Sequence, residues 1–135
     1  LTNVVKKPDR NSYFVSHSLG CITILRYLET LKEKQQIGGA IFVAGFTDDL
    51  DILEIANFFT KPINWKRIKM HCKKFVAIHS DNNPYVPLKY GKIFKKNLGS
   101  KVINMHNLKH FSGSANITKL PVVLDELIKM TGVGR

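Results

Sequence analysis

Cysteine and arginine are scarce in this sequence, and long apolar runs are lacking. Its two cysteines, Cys21 and Cys72, make no C-x-x-C pair and are too few for a disulfide framework. A reducing, cytoplasmic setting is therefore expected. No apolar stretch approaches the ~18 residues of a membrane span. Repeats, low-complexity tracts and linker-like segments are missing too. These absences exclude collagen-like, coiled-coil, small disulfide-rich and membrane-spanning classes. What remains is one domain over residues 1–135, 44% hydrophobic. A chain of this length can bury roughly two thirds of its unfolded surface without a covalent staple.

The formal charge of +11 comes from 21 Lys and Arg against 10 Asp and Glu. A basic balance is the usual electrostatic footprint of a nucleic-acid binder. Only four of the cations are Arg, however, and Arg is the residue suited to bidentate phosphate and base contacts. The lysines are dispersed, with doublets at Lys6-Lys7, Lys73-Lys74 and Lys95-Lys96. No paired-Cys zinc motif or basic zipper accompanies them. A solvated lysine surface is favoured over a nucleic-acid site.

Short apolar runs alternate with amphipathic segments, the pattern of βαβ units around a parallel sheet. Strands are predicted at 12–16, 40–44, 74–79 and 101–105. Cys21, Ile24, Leu25, Leu28 and Leu31 share one face of a helix predicted over 19–34 and ended by Gly38-Gly39. Shorter helical patterns run from Asp48 through Phe58 and from Asn64 to Met70. Further helices are expected at 88–98, ended by Gly99, and at 120–130.

The most informative segment is Ser16-His17-Ser18-Leu19-Gly20, between the first strand and its helix. Small-x-Ser-x-Gly at such a junction is the nucleophile-elbow pattern. The turn is sharp enough to require small residues at Ser16 and Gly20, and it strains the central serine so that the hydroxyl points away from the sheet. The Leu19 amide, at the positive end of the helix, can donate to an oxyanion. A plain strand-turn-helix with a serine cap fits the same residues.

A serine hydroxyl needs a base. His110 lies beyond the fourth predicted strand, where active-site loops of such sheets gather. His106 and His110 are four apart, a spacing that suits a metal on a helix. Strand and loop are expected there instead, without a third ligand nearby. The third member of a triad, a carboxylate that orients the imidazole, is expected in Ser80–Pro87. The order Ser, acid, His is that of α/β hydrolases.

Taken together, His17-Ser18-Leu19-Gly20-Cys21, Asn83-Pro84-Tyr85-Val86-Pro87 and His110-Phe111 resemble a family of small serine hydrolases with the α/β-hydrolase fold. The similarity runs from about Asn11 to Met130. It implies a three-layer parallel sheet, an esterase-type reaction on a small acyl substrate, and neither metal nor organic cofactor. Carried over position by position, the triad is Ser18, Asn83 and His110. The family's aspartate is thus replaced by Asn83, which keeps the shape but not the charge and can hold His110 in the wrong tautomer. Asp81, two residues earlier, is a candidate substitute acid, although a loop-capping residue is the favoured reading. Lys109 stands where the family has glycine.

The family also begins with a strand and a His-Gly-type loop that donates a second oxyanion amide. The chain is expected to correspond to the later two thirds of such a domain, lacking the N-terminal strands. The elbow strand would then be an apolar edge open to association. A catalytically impaired, protein-binding role is the alternative reading.

Blander roles are expected elsewhere. Trp65 is read as a core or cap anchor, Cys21 as a small buried hydrophobe, and Asp48–Glu54 as a solvated loop that can rim the pocket. Cys72, between His71 and Lys73, is a candidate for a lowered pKa.

Overall fold

The computed structural model describes residues 8–111 and 120–132. The Lys6-Lys7 doublet and the Ser112-Gly113 end of the histidine loop lie outside the described residues. Four strands, β1 (Tyr13–His17), β2 (Gly39–Val43), β3 (Phe75–Ser80) and β4 (Lys101–Met105), pair in parallel in the order β1-β2-β3-β4. The register sets Val15 opposite Ile41, Ile41 opposite Val76, and Ile78 opposite Ile103. All residues of β2 and β3 are buried, as expected of parallel strands covered on both faces.

Side chains that alternate along these two strands divide the core into two halves. Ala40, Phe42, Phe75 and Ala77 face helices α1 (Gly20–Glu29), α2 (Trp65–His71) and α3 (Lys89–Leu98). Ile41, Val43, Val76 and Ile78 face the other way, toward Phe111 and helix α4 (Pro121–Thr131). The result is the expected three-layer α/β arrangement. No helix among the described residues is long and apolar enough to cross a membrane.

Helix ends follow local chemistry. Helix α1 stops at Glu29 rather than at the expected Lys34. Thr30 Oγ1 donates to Tyr27 O (2.6 Å), and Arg67 donates to the carbonyls of Glu29 and Leu31. These side chains satisfy terminal carbonyls that a further turn would have used. Gly38-Gly39 therefore does not end the helix. A β-carbon on Gly38 would sit 2.4 Å from both Arg10 O and the Tyr13 ring, so glycine is needed there for strand approach. Asn64 Oδ1 caps α2 by accepting the Arg67 amide. Gly99 (φ 68°) ends α3 in the left-handed conformation. The pattern read over Asp48–Phe58 contracts to a 3₁₀ helix, Leu53–Phe59.

Strand β1 is one edge of the described sheet. Its Val15 is 47% exposed and borders a shallow apolar groove of about 450 Å³, walled on the other side by Val123, Leu124 and Leu127 of α4.

Trp65 packs edge-on against Phe94, an anchor between α2 and α3. Both cysteines are free and buried. Burial pushes the Cys21 thiol up to about 12, and it pushes Cys72 up to about 11 despite nearby Lys73. The lowered value considered for Cys72 is thus corrected: desolvation of the thiolate outweighs one exposed lysine.

Candidate active site

The turn between β1 and α1 holds Ser18 at φ 56°. This is left-handed backbone, which costs a non-glycine residue on the order of 1–2 kcal/mol. The Ser18 amide donates to Val43 O (2.8 Å), and the Cys21 amide donates to Ser18 O (3.1 Å). Neighbouring strand and helix start thereby hold the strained residue. A β-carbon on Gly20 would meet Ser16 Cβ at 3.7 Å, an ordinary contact, so the expectation that the turn requires glycine at that position is corrected. The 10 residues of α1 direct their positive end toward this bend. Leu19, one residue before the helix, carries one of the first-turn amides left without an intrahelical acceptor.

Ser18 stands at the end of one edge strand, whereas His110 follows the other edge strand, β4. The loop after β4 must cross three strand spacings, roughly 14 Å, to reach the serine. It does so on a ladder supplied by the last residue of β3 and the loop that follows it. Asn107 N donates to Asp81 Oδ1 (3.0 Å), Leu108 N to Ser80 Oγ (2.9 Å) and Lys109 N to Asn82 Oδ1 (2.8 Å). Phe111 then anchors in the core half that contains Val43 and Ala44. The crossing brings His110 Nε2 to 2.8 Å from Ser18 Oγ.

Asn83 supplies the other contact to the imidazole, with its Nδ2 lying 3.0 Å from His110 Nδ1. Asn83 Oδ1 meanwhile accepts the amides of Tyr85 (2.9 Å) and Val86 (3.0 Å). Those two N–H groups fix the amide's orientation, because turning it over would point NH₂ at two donors. Nδ2 can only donate, so Nδ1 of His110 is the acceptor and Nε2 carries the hydrogen. In this arrangement the imidazole donates to Ser18 Oγ. A base would instead need Nε2 free to take the serine proton.

Asp81 is engaged elsewhere. Its Oδ2 pairs with His106 Nδ1 (2.6 Å) and its Oδ1 with Asn107 N. The Asn107 amide first, and His106 second, hold its carboxyl below the ordinary range. His106 and His110 thus have separate partners, and the described residues include no group of three or more His, Cys, Asp or Glu placed to hold a metal.

The His110 imidazole is pushed below the usual histidine value, mainly by burial and secondly by the nearby His17. Tyr85 stands edge-on to it (5.3 Å, 80°), and the His17 ring lies 4.9 Å away. Sequence spacing does not mark His17, Tyr85, Ser80 and Asn82 as site residues. The available signal is the adjacency of His17 to Ser18 and of the others to Asn83. In the neighbouring acidic loop Asp48 Oδ1 accepts the Tyr90 hydroxyl (2.6 Å). A cavity of about 410 Å³ opens there between Asp48–Asp51 and Tyr85.

A parallel three-layer sheet whose strained elbow serine meets an imidazole from a later strand defines an α/β hydrolase-like protein. The chain belongs to the Serine hydrolase family, whose profile matches residues 1–129. It is 34% identical over 118 residues to the putative hydrolase YdeN of Bacillus subtilis (strain 168), covering 87% of this chain and 62% of that protein. The serine hydrolase RBBP9 of Rattus norvegicus is 30% identical over 108 residues, or 78% of this chain and 56% of that protein. Superposition on the crystal structure of the B. subtilis ydeN product gives a TM-score of 0.86 at 30% identity, covering 93% of this chain and 68% of that one. A putative YdeN-like hydrolase from Pectobacterium atrosepticum shares the fold, with a TM-score of 0.64 at 16% identity over 90% of this chain and 60% of that one. The chain spans about three fifths of the length of the curated relatives it matches.

Proposed function

We propose that the chain hydrolyses an ester or related acyl bond of a small substrate, with Ser18 as nucleophile and His110 as base. The observation that carries this reading is the 2.8 Å contact between His110 Nε2 and Ser18 Oγ at a serine held at φ 56°. Ser18 Oγ adds to the acyl carbonyl while its proton passes to Nε2. The oxyanion is met by the Leu19 amide at the positive end of α1. The imidazolium then returns the proton to the leaving oxygen, and water repeats the sequence on the acyl-serine. No metal or organic cofactor takes part in these steps.

Asn83 makes the chemistry slow. Proton acceptance at Nε2 requires the hydrogen on Nδ1, where it would face the Asn83 NH₂. An aspartate there would accept that hydrogen and stabilise the imidazolium. Asp81 pairs with His106 and anchors the loop through Asn107 N, so it supports the site without acting as the acid at His110 Nδ1. The same observation supports a second reading, in which the chain has lost turnover and binds a protein through its exposed β1 edge. A fluorophosphonate probe separates the two. Labelling that disappears in Ser18→Ala supports hydrolysis. Absence of labelling in both the natural chain and Asn83→Asp rules hydrolysis out.

A further inference from the structure

Resting on that reading, we infer that His17 is a positioning residue: it fastens the loop that carries the base to the elbow that carries the nucleophile. His17 Nε2 lies 2.6 Å from the main-chain carbonyl of His110, 93 positions away in sequence. A carbonyl only accepts, so His17 donates from Nε2.

The importance of this bond follows from how the loop is built. Its three earlier anchors, at Asn107, Leu108 and Lys109, come from Ser80 at the end of β3 and from Asp81 and Asn82 just after it. The Phe111 amide closes only a local turn onto Leu108 O. Asn107 (φ 59°), Lys109 (φ 48°) and Phe111 (φ 57°) are all left-handed, and none is glycine. Such backbone persists only where its surroundings over-determine it. At His110 itself the carbonyl's tie is to the side chain next to Ser18. Two consecutive residues thus divide the work: Ser18 presents the hydroxyl, and His17 fixes the backbone from which the imidazole extends.

The ring contact adds a second constraint. At 4.9 Å and 52°, His17 forms one wall for the His110 ring and limits how far it can swing from Oγ. Misplacement of a reacting group by about 1 Å can cost on the order of 10²-fold in rate. Loss of the tie should therefore reduce turnover without disturbing substrate binding to the same degree.

The test uses the full chain and its Asn83→Asp variant, each carrying His17→Phe or His17→Gln. Phenylalanine keeps the wall and removes the donor, whereas glutamine keeps a side-chain N–H within reach of the carbonyl. His17→Phe is expected to lower the fluorophosphonate labelling rate and kcat by about 10- to 100-fold, with KM changed less than about twofold and Tm unchanged. His17→Gln is expected to restore most of the loss. Equal labelling in His17→Phe, or a loss matched by a drop in Tm, overturns the inference. Labelling that depends on Ser18 but not His17 removes this inference alone, whereas labelling that survives Ser18→Ala removes the hydrolase reading first. Long-range ¹H–¹⁵N spectra provide a check that needs no activity. Neutral His17 is expected as the Nε2–H tautomer, and an Nδ1–H tautomer overturns the assignment.

Discussion

Asn83 gives a hydrogen bond to His110 Nδ1, and its carbonyl is held by the amides of Tyr85 and Val86. A side chain that shares the outline of aspartate has here reversed the direction of the bond. The hydrogen that should leave the imidazole toward the acid instead arrives from the amide. The loop geometry is ready for a carboxylate, because one oxygen would keep both backbone amides and the other would take the place of Nδ2.

Asn83→Asp is therefore expected to raise ester turnover strongly, toward the ~10⁴-fold that the opposite exchange removes in a serine-protease triad. The size of that reference effect comes from the protease, not from this chain. Initial rates on a chromogenic acetate ester, with Asp81→Asn in parallel, provide the check. Asp81→Asn keeps an oxygen for the Asn107 amide and removes the charge that faces His106, so it should change turnover less than about threefold. A large loss in Asp81→Asn with no gain in Asn83→Asp would mean that the acid lies at Asp81.

The acid limb of the labelling profile should lie below the ordinary histidine value of about 6.5. Burial, and then the proximity of His17, disfavour the imidazolium at His110. Its neutral form consequently persists as the pH falls. Asn83→Asp should shift the limb upward, because a carboxylate at Nδ1 favours the charged ring. Labelling rates between about pH 5 and 8 measure both positions. A limb above about 6.5 in the natural chain would contradict the burial argument.

Lys109 gives a stability prediction. At φ 48° its backbone carries the left-handed cost of about 1–2 kcal/mol, whereas glycine gives back about 0.5–1 kcal/mol through its freer unfolded chain. Lys109→Gly should therefore stabilise by roughly 0.5–1 kcal/mol, or about 2–4 °C in Tm. Thermal melts decide it. A lower Tm would show that the lysine side chain supports the loop in some way beyond backbone conformation.

Acid should weaken the fold through His79. This ring is buried in β3, donates from Nε2 to Gly45 O (3.0 Å) and leaves Nδ1 without a partner. Desolvation lowers its affinity for a proton in the folded state. The unfolded chain protonates it near pH 6.5, whereas the folded chain resists. Stability is thus complete above that value and falls as the pH drops toward the folded value, by at most about 1.4 kcal/mol per unit. Urea midpoints at about pH 7 and 5 for the natural chain and His79→Phe measure the slope. An equal slope in both would assign acid sensitivity to other groups.

Much of this architecture is legible in the residues themselves. Apolar runs such as Ala40–Val43 and Phe75–Ile78 can hardly be anything but buried parallel strands. Gly99 marks a helix end because left-handed backbone suits it. The elbow is legible because Ser16 and Gly20 flank a serine at a strand-to-helix change of period. The end of α1 was not, since Arg67 reaches its carbonyls from 38 positions away. The orientation of the Asn83 amide depends on two backbone donors whose positions only the folded loop defines. The tie from His17 joins residues 93 apart, a separation that no local pattern encodes.

The strand order carries one more consequence. Ser18 hangs from one margin of the described sheet and His110 from the other, so their encounter requires all three pairings to be in register at once. Fraying at β1, or a slip at β4, would silence labelling while most helices remained formed. A covalent probe on Ser18 is therefore a more sensitive gauge of an intact sheet than helical circular dichroism.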